Sequence, residues 1–231
     1  MAQSPREGND RLTVKRLLEA AAKEFARHGY AATRVRDIVE AAGANLAAVN
    51  YHYGGKEGLY RATIAHLARR AREDLPGESP ELRARPPEER LHALVLVMLR
   101  RHLGPEQSSA ASRLVAHELL DPTPAFDETL REISAPPCHR LEEIVALLLG
   151  PRADAQEVSL ACLSVAGQWE SLPFARRALE SRFAAIAAGP DLVDRVARHI
   201  VAFSVAALGA RRAQLESPDP RKLAGATVAS A

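Results

Sequence analysis

Cysteine and aromatic residues are scarce in this 231-residue chain, which has two Cys, one Trp, four Tyr and five Phe. Two isolated cysteines, Cys138 and Cys162, exclude a disulfide scaffold and a CxxC metal site. They read as buried thiols in a reducing compartment. Long hydrophobic runs are also missing. The best candidate, "LHALVLVML" from Leu91, falls well short of the roughly 18–20 apolar residues of a membrane span and runs into Arg100 and Arg101. The N-terminal "MAQSPREGNDR" has no apolar signal core. A cytoplasmic protein with no membrane partner is expected. No G-x-S-x-G elbow, P-loop or glycine-rich dinucleotide fingerprint occurs, so nothing asks for an enzyme. His102, His117, Cys138, His139 and Cys162 lack ligand spacing such as HxxxH, so neither a metal nor a cofactor is expected.

What remains is a helix-forming composition. Ala, Leu and Arg dominate and β-branched runs are rare, which favours an all-α fold. Charge is uneven. Residues 1–75 hold thirteen Lys/Arg against nine Asp/Glu, a net of +4, while the whole chain is only +2. A basic front and a slightly acidic remainder suit a chain that meets a polyanion with one end.

Val14, Leu17, Leu18, Ala21 and Phe25 recur at i, i+3, i+4 spacing, and Gly29 can end that helix. Thr33 stands where the next helix would be capped, and "TRVRDIVEAAG" puts Val35, Ile38, Val39 and Ala42 on one face. Asn45 caps a third helix, "LAAVNYHY", which Gly54-Gly55 breaks before Lys56 opens a longer one. Two short helices joined by a turn of about three residues form a helix-turn-helix. "PGESPELRARPPEE" (76–89) reads as a linker, and longer apolar helices follow. Pro136-Pro137 is expected to kink or split one of them, and Pro173 another.

In "NLAAVNYHY", Val49 and Tyr53 are four apart and can face a core, so Asn50 and Tyr51 project elsewhere. Asn can bond bidentately to adenine, and Tyr51 and His52 can donate to phosphate. Ala47 and Ala48 permit close backbone approach and contact with a thymine methyl. A cation at a helix start is disfavoured by the dipole, so Lys56 is itself a hint that a phosphate is expected there. Thr33 and Arg34 could clamp from the other side.

Over Thr13–Leu67 this pattern resembles the N-terminal domain of TetR-family transcriptional regulators, through Ala21, Phe25, Gly29, Tyr30, Thr33, Ile38, Ala42, Gly43, His52, Lys56 and Leu59. The family's usual serine cap is Asn45 here, and its usual tyrosine before x-H-F is Asn50, with Tyr51 next to it. The wording "NLAAVNYHYGGKEGLY", with "ELLDPTPAFDETL" (118–130) and "LSVAGQ" (163–168), is similar to the CecR-like subgroup. The resemblance implies a homodimer on a near-palindromic double-stranded DNA operator, released by a small hydrophobic effector.

The expected organisation is an arm at 1–12, a helix-turn-helix domain at 13–60, a helical effector-binding and dimerisation domain at 61–210, and a tail at 211–231. The candidate DNA-facing set is Thr33, Arg34, Asn45, Ala47, Ala48, Asn50, Tyr51, His52 and Lys56. Polar groups within apolar helices either satisfy one another or orient a ligand. His117, Glu118, Gln168 and Trp169 are such groups, and with Met98, His102 and Phe126 they make the candidate effector set. An apolar stripe on a terminal helix is often intramolecular core; the resemblance implies instead that Val193, Val196, Ile200 and Phe203, with Leu160 and Ser164, form the dimer interface. An architectural DNA-binding protein without an effector is the alternative.

Overall fold

The computed structural model describes residues 5–75, 80–103, 110–170, 181, 184 and 191–217. Every regular element among them is helical: α1 Pro5–Ala32, α2 Val35–Ala42, α3 Leu46–Tyr53, α4 Lys56–Asp74, α5 Pro80–Arg83, α6 Pro87–Leu103, α7 Ala110–Leu120, α8 Phe126–Thr129, a π-helical turn Leu130–Ser134, α9 Ala135–Leu149, α10 Ala155–Glu170 and α11 Leu192–Glu216. The chain forms two compact units. Residues 1–77 and 97–137 make the first; residues 78–96 and 138–231 make the second.

Helix α1 begins at Pro5, inside the stretch expected to be an arm. Proline suits a first helical position, where its missing N–H has no partner to lose. At the other end, α11 runs on to Glu216, past the expected boundary at 210. Pro136-Pro137 does not split its helix. Both prolines sit in the first turn of α9, and the wide π-turn ahead of them, closed by Ala135 N–H to the Leu130 carbonyl, accommodates the rings. Pro173 lies outside the described residues.

In the first unit, Leu17, Ala21 and Phe25 of α1, Ile38 of α2, Val49 of α3, Leu59, Tyr60 and Ile64 of α4, and Leu114 of α7 share one core. Its centre is aromatic: Tyr60 meets Phe25 edge-on at 4.8 Å and Tyr30 at 4.9 Å. Helix α4 is also tied by polar contacts to the segment after α7. Arg61 pairs with Glu128 at 2.5 Å and donates to the Pro124 carbonyl at 3.3 Å, and Arg72 pairs with Glu132 at 3.0 Å. In the second unit, Leu141, Val145 and Leu149 of α9, Val165 and Trp169 of α10, and Ala197, Ile200 and Leu208 of α11 are buried.

Candidate nucleic-acid interface

The turn between α2 and α3 is set locally. Gly43 ends α2 in the left-handed region, and its N–H returns to the Glu40 and Val39 carbonyls. The Asn45 side chain accepts from Ala48 N–H at 2.9 Å, so it caps α3 as the sequence suggests. Helix α3 ends at Gly54 (φ 71) and the chain passes through Gly55 (φ 125), backbone angles that L side chains rarely adopt. A little further on, Gly58 passes so close to the last turn of α3 that a Cβ there would overlap the Tyr53 carbonyl oxygen.

This framework sorts the side chains of α3. Val49 is fully buried, and Tyr53 turns inward to donate to the Val14 carbonyl at 3.4 Å. Ala47 and Asn50 are exposed, and Tyr51 is 82% exposed. The Tyr51 ring meets only the neighbouring His52 ring, edge-on at 4.9 Å, among the ring contacts of the described residues, and it does not join the buried core. Ala48 is half-buried against the core, leaving Ala47 as the freer small residue.

Three expected contacts are placed differently. Thr33 is buried, and its hydroxyl is occupied by the Gly29 carbonyl at 2.6 Å, with the Glu24 carbonyl at 3.2 Å. It ties the end of α1 and does not face outward. The extended residue that precedes α2 is Arg34, which is exposed. His52 is half-buried, with Nε2 3.1 Å from the Asp10 carboxylate of α1. An acid so far upstream leaves no trace in local spacing. Lys56 reaches back to donate to the Ala31 carbonyl at 3.3 Å and lies 4.6 Å above the Tyr30 ring. Burial lowers its pKa. Its ammonium keeps other N–H donors for a phosphate.

Neither α2 nor α4 has a side-chain cap at its N-terminus, whereas α3 does. The first N–H groups of a helix have no partner within it, and together with the dipole they attract anions. The helices that precede and follow α3 along the chain thus both start uncapped, with Arg34 at one start and Lys56 at the other.

The expected effector set is divided. Met98, His102, His117, Glu118 and Phe126 belong to the first unit, Gln168 and Trp169 to the second. Glu118 is 1% exposed and fully engaged by protein groups. It accepts from the Tyr60 hydroxyl, from Thr123 N–H at 2.9 Å and from the Thr123 hydroxyl at 2.8 Å. Burial and this carboxylate raise the Tyr60 pKa. His117 packs on the backbone of Gly29. Phe126 is half-buried. Trp169 is buried and donates to Glu170 at 3.2 Å, and Gln168 donates to Ser204 at 3.0 Å. Glu118, Gln168 and Trp169 thus have protein partners, which is the structural alternative for buried polar residues.

His102 does not follow that rule. It is 8% exposed and neither ring nitrogen has a partner. Burial first, then the neighbouring Arg101, pushes its pKa down from 6.5 to about 4. Below pH 6.5 the unfolded chain takes up a proton that the folded protein refuses. Stability should therefore fall as pH drops from 6.5 toward 4, by about 2–3 kcal/mol from this group. Urea midpoints at pH 7 and pH 4.5 test this: wild type should lose more stability than His102→Gln, and equal losses would refute it.

Arg101 carries no distinguishing mark in the sequence, because a charge after an apolar run reads as solvated. It is buried, seven residues after Leu94 and three after Met98, so its spacing belongs to the buried stripe of α6. Cys138 is exposed and Cys162 half-buried, so neither is the core thiol expected. Burial, then Glu142 and Cys138, pushes Cys162 up to about 11. Among the described residues, no group of three metal-binding side chains comes together, and no helix is long and apolar enough to cross a membrane. Of the expected interface set, Leu160, Ser164 and Phe203 are exposed, Val193 and Val196 are half-buried, and Ile200 is buried within its own unit.

Comparison with known proteins identifies the family of this chain. Residues 17–63 match the bacterial regulatory proteins of the tetR family, and residues 87–208 match the C-terminal domain of the HTH-type transcriptional dual regulator CecR. CecR of Shigella flexneri is 28% identical over 162 residues, covering 67% of this chain and 72% of that protein. The HTH-type transcriptional regulatory protein RaaS of Mycobacterium tuberculosis is 44% identical over 57 residues, 25% of this chain and 26% of that protein. A solved structure from Rhodococcus sp. shares the fold, with a TM-score of 0.61 at 19% identity over 85% of this chain and 98% of that one. A helix-turn-helix followed by this C-terminal domain defines the chain: it belongs to the TetR family of DNA-binding transcriptional regulators, in the CecR-like group, a family of regulators and not of enzymes.

Proposed function

We propose that the protein binds a near-palindromic operator as a homodimer, represses transcription there, and is released by a small effector carrying an apolar body. The observation that supports this reading most directly is the exposed face of α3. Ala47, Asn50 and Tyr51 stand free on a helix whose other face, Val49 and Tyr53, is anchored. In a major groove Asn50 can read adenine, while Tyr51, Arg34, Lys56 and the uncapped starts of α2 and α4 hold the backbone on either side. Such a regulator acts where the DNA is, in the cytoplasm.

Dimerisation falls to α10 and α11. Leu160 and Leu163 of α10 and Phe203 of α11 are exposed large hydrophobic residues, and a groove of about 460 Å³ between these helices is lined by Leu160, Ser164, Val165, Gln168 and Phe203. An apolar surface of this kind on two neighbouring helices suits an isologous contact. The effector acts only through preference: it must bind the released state more tightly, and a coupling of about 1–3 kcal/mol corresponds to a several-fold to hundredfold loss of DNA affinity.

In-vitro selection of duplex DNA at two salt concentrations tests the reading. An enriched inverted repeat is expected. Binding that is independent of sequence and steeply salt-sensitive would point instead to an architectural protein. On the selected duplex, Tyr51→Ala should weaken binding by about tenfold, as expected for a lost phosphate or base contact of about 1–3 kcal/mol. Its melting temperature should stay that of wild type, because the ring packs against no core residue. Unchanged affinity would remove Tyr51 from the contact surface.

A further inference from the structure

Several arginines of this chain stand against a carboxylate, as Arg61–Glu128, Arg72–Glu132 and Arg211–Glu157 show. Arg101 differs in being buried without one. It is 5% exposed, and no carboxylate lies within ion-pair distance of it among the described residues; Asp74 acts on it only at longer range. Its Nη2 donates to the Ala71 carbonyl in the last turn of α4, Nη1 lies 3.8 Å from Met98 Sδ, and Nε has no acceptor. Next to it stands His102, also buried, with both ring nitrogens unpartnered. A guanidinium held out of water without an anion is strongly unfavourable, and an unpaired imidazole adds to the cost. Within the same unit, α6 also buries Met98 and Leu99, one turn or less before them in the helix.

We infer that Arg101 and His102 form a head-group site for an anionic ligand: a small apolar molecule that ends in a carboxylate. The planar guanidinium can meet two carboxylate oxygens at once, and the neutral imidazole can donate one N–H to the same group. The inference rests on the effector reading above and adds the charge of the effector. It also gives binding a route to DNA. A carboxylate on Arg101 competes with the Ala71 carbonyl, and Ala71 belongs to the helix whose first residue, Lys56, flanks α3.

The test is a set of thermal melts of the full-length protein at constant ionic strength. The probes are octanoate, benzoate and inorganic phosphate, beside octanamide and benzamide as neutral counterparts. At least one of the two organic acids should raise the melting temperature by roughly 5–10 °C at a concentration a hundredfold above its Kd. The amides should not. Arg101→Lys keeps a cation over the Ala71 carbonyl, and so keeps the fold, but loses the fork; it should bind the acid at least about tenfold more weakly. His102→Gln should weaken it less. Equal shifts from acid and amide, an unaltered response in Arg101→Lys, or no response to any anion overturns the site. A response to phosphate alone overturns the apolar acid as its ligand. Binding of the selected duplex is followed in the same samples: an acid that binds but leaves the DNA complex intact overturns the effector role and supports the anion site. Absence of any selected duplex sinks the regulator reading separately, since the melts need no DNA.

Discussion

Gly58→Ala should unfold the reading head before it disturbs the rest of the protein. Alanine is intrinsically better than glycine inside a helix by up to about 1 kcal/mol, so the default expectation is a gain. Here the added methyl would overlap the Tyr53 carbonyl oxygen, a backbone atom that cannot rotate aside. Either α4 moves away from α3 or the turn at Gly54-Gly55 opens. Overpacking of this kind costs about 2–4 kcal/mol, which is roughly 5–15 °C in melting temperature for a chain of this size. DNA binding should fall further than stability does, by more than about tenfold, because the spacing of α3 from Lys56 must change even in molecules that remain folded. Circular dichroism melts and binding to the selected duplex measure both. A melting temperature at or above wild type would show that the two helices are not in contact at Gly58.

Glu118→Ala should be the most destabilising single change in the first unit. The carboxylate is buried and accepts from the Tyr60 hydroxyl and from both the N–H and hydroxyl of Thr123. Deleting it leaves three donors without an acceptor beside a new cavity, a loss of about 3–5 kcal/mol. Glu118→Gln keeps the shape and one acceptor oxygen and should cost about 1–2 kcal/mol. Tyr60→Phe removes the other end of the bond. If the two groups bond as described, the double variant Glu118→Gln/Tyr60→Phe should cost clearly less than the sum of the single changes, by about 0.5–2 kcal/mol. Additive losses in urea titrations would mean that Glu118 is held by Thr123 alone. The bond also joins α7 to α4, the helix that starts at the DNA-facing turn, so operator affinity in Glu118→Gln reports how far α7 positions the reading head.

Several features of the interface are legible in the order of residues alone. The 3.6-residue period separates Val49 and Tyr53 from Asn50 and Tyr51, and the fold places them on those two sides. Asn45 can be named as a cap, and Gly43 and Gly54 as helix ends, because a capping bond or a left-handed backbone involves only neighbours along the chain. The same reasoning misplaces Thr33. A threonine at a helix boundary can cap the helix that follows or close the one that precedes, and the packing of α1 decides for the second.

Helix identity, helix ends and the inward or outward side of each short helix are therefore determined by residue type and spacing alone, since each depends on interactions within one or two turns. Which polar groups remain free for DNA or a ligand is decided only by the tertiary structure. His52 is held by Asp10, Glu118 by Tyr60, and the Arg101 guanidinium rests on Ala71 with no acid paired to it among the described residues. Each of those outcomes depends on a partner from another helix, and the energy of a buried charge or hydrogen bond is set by that partner's presence and distance, which no local pattern of residues contains.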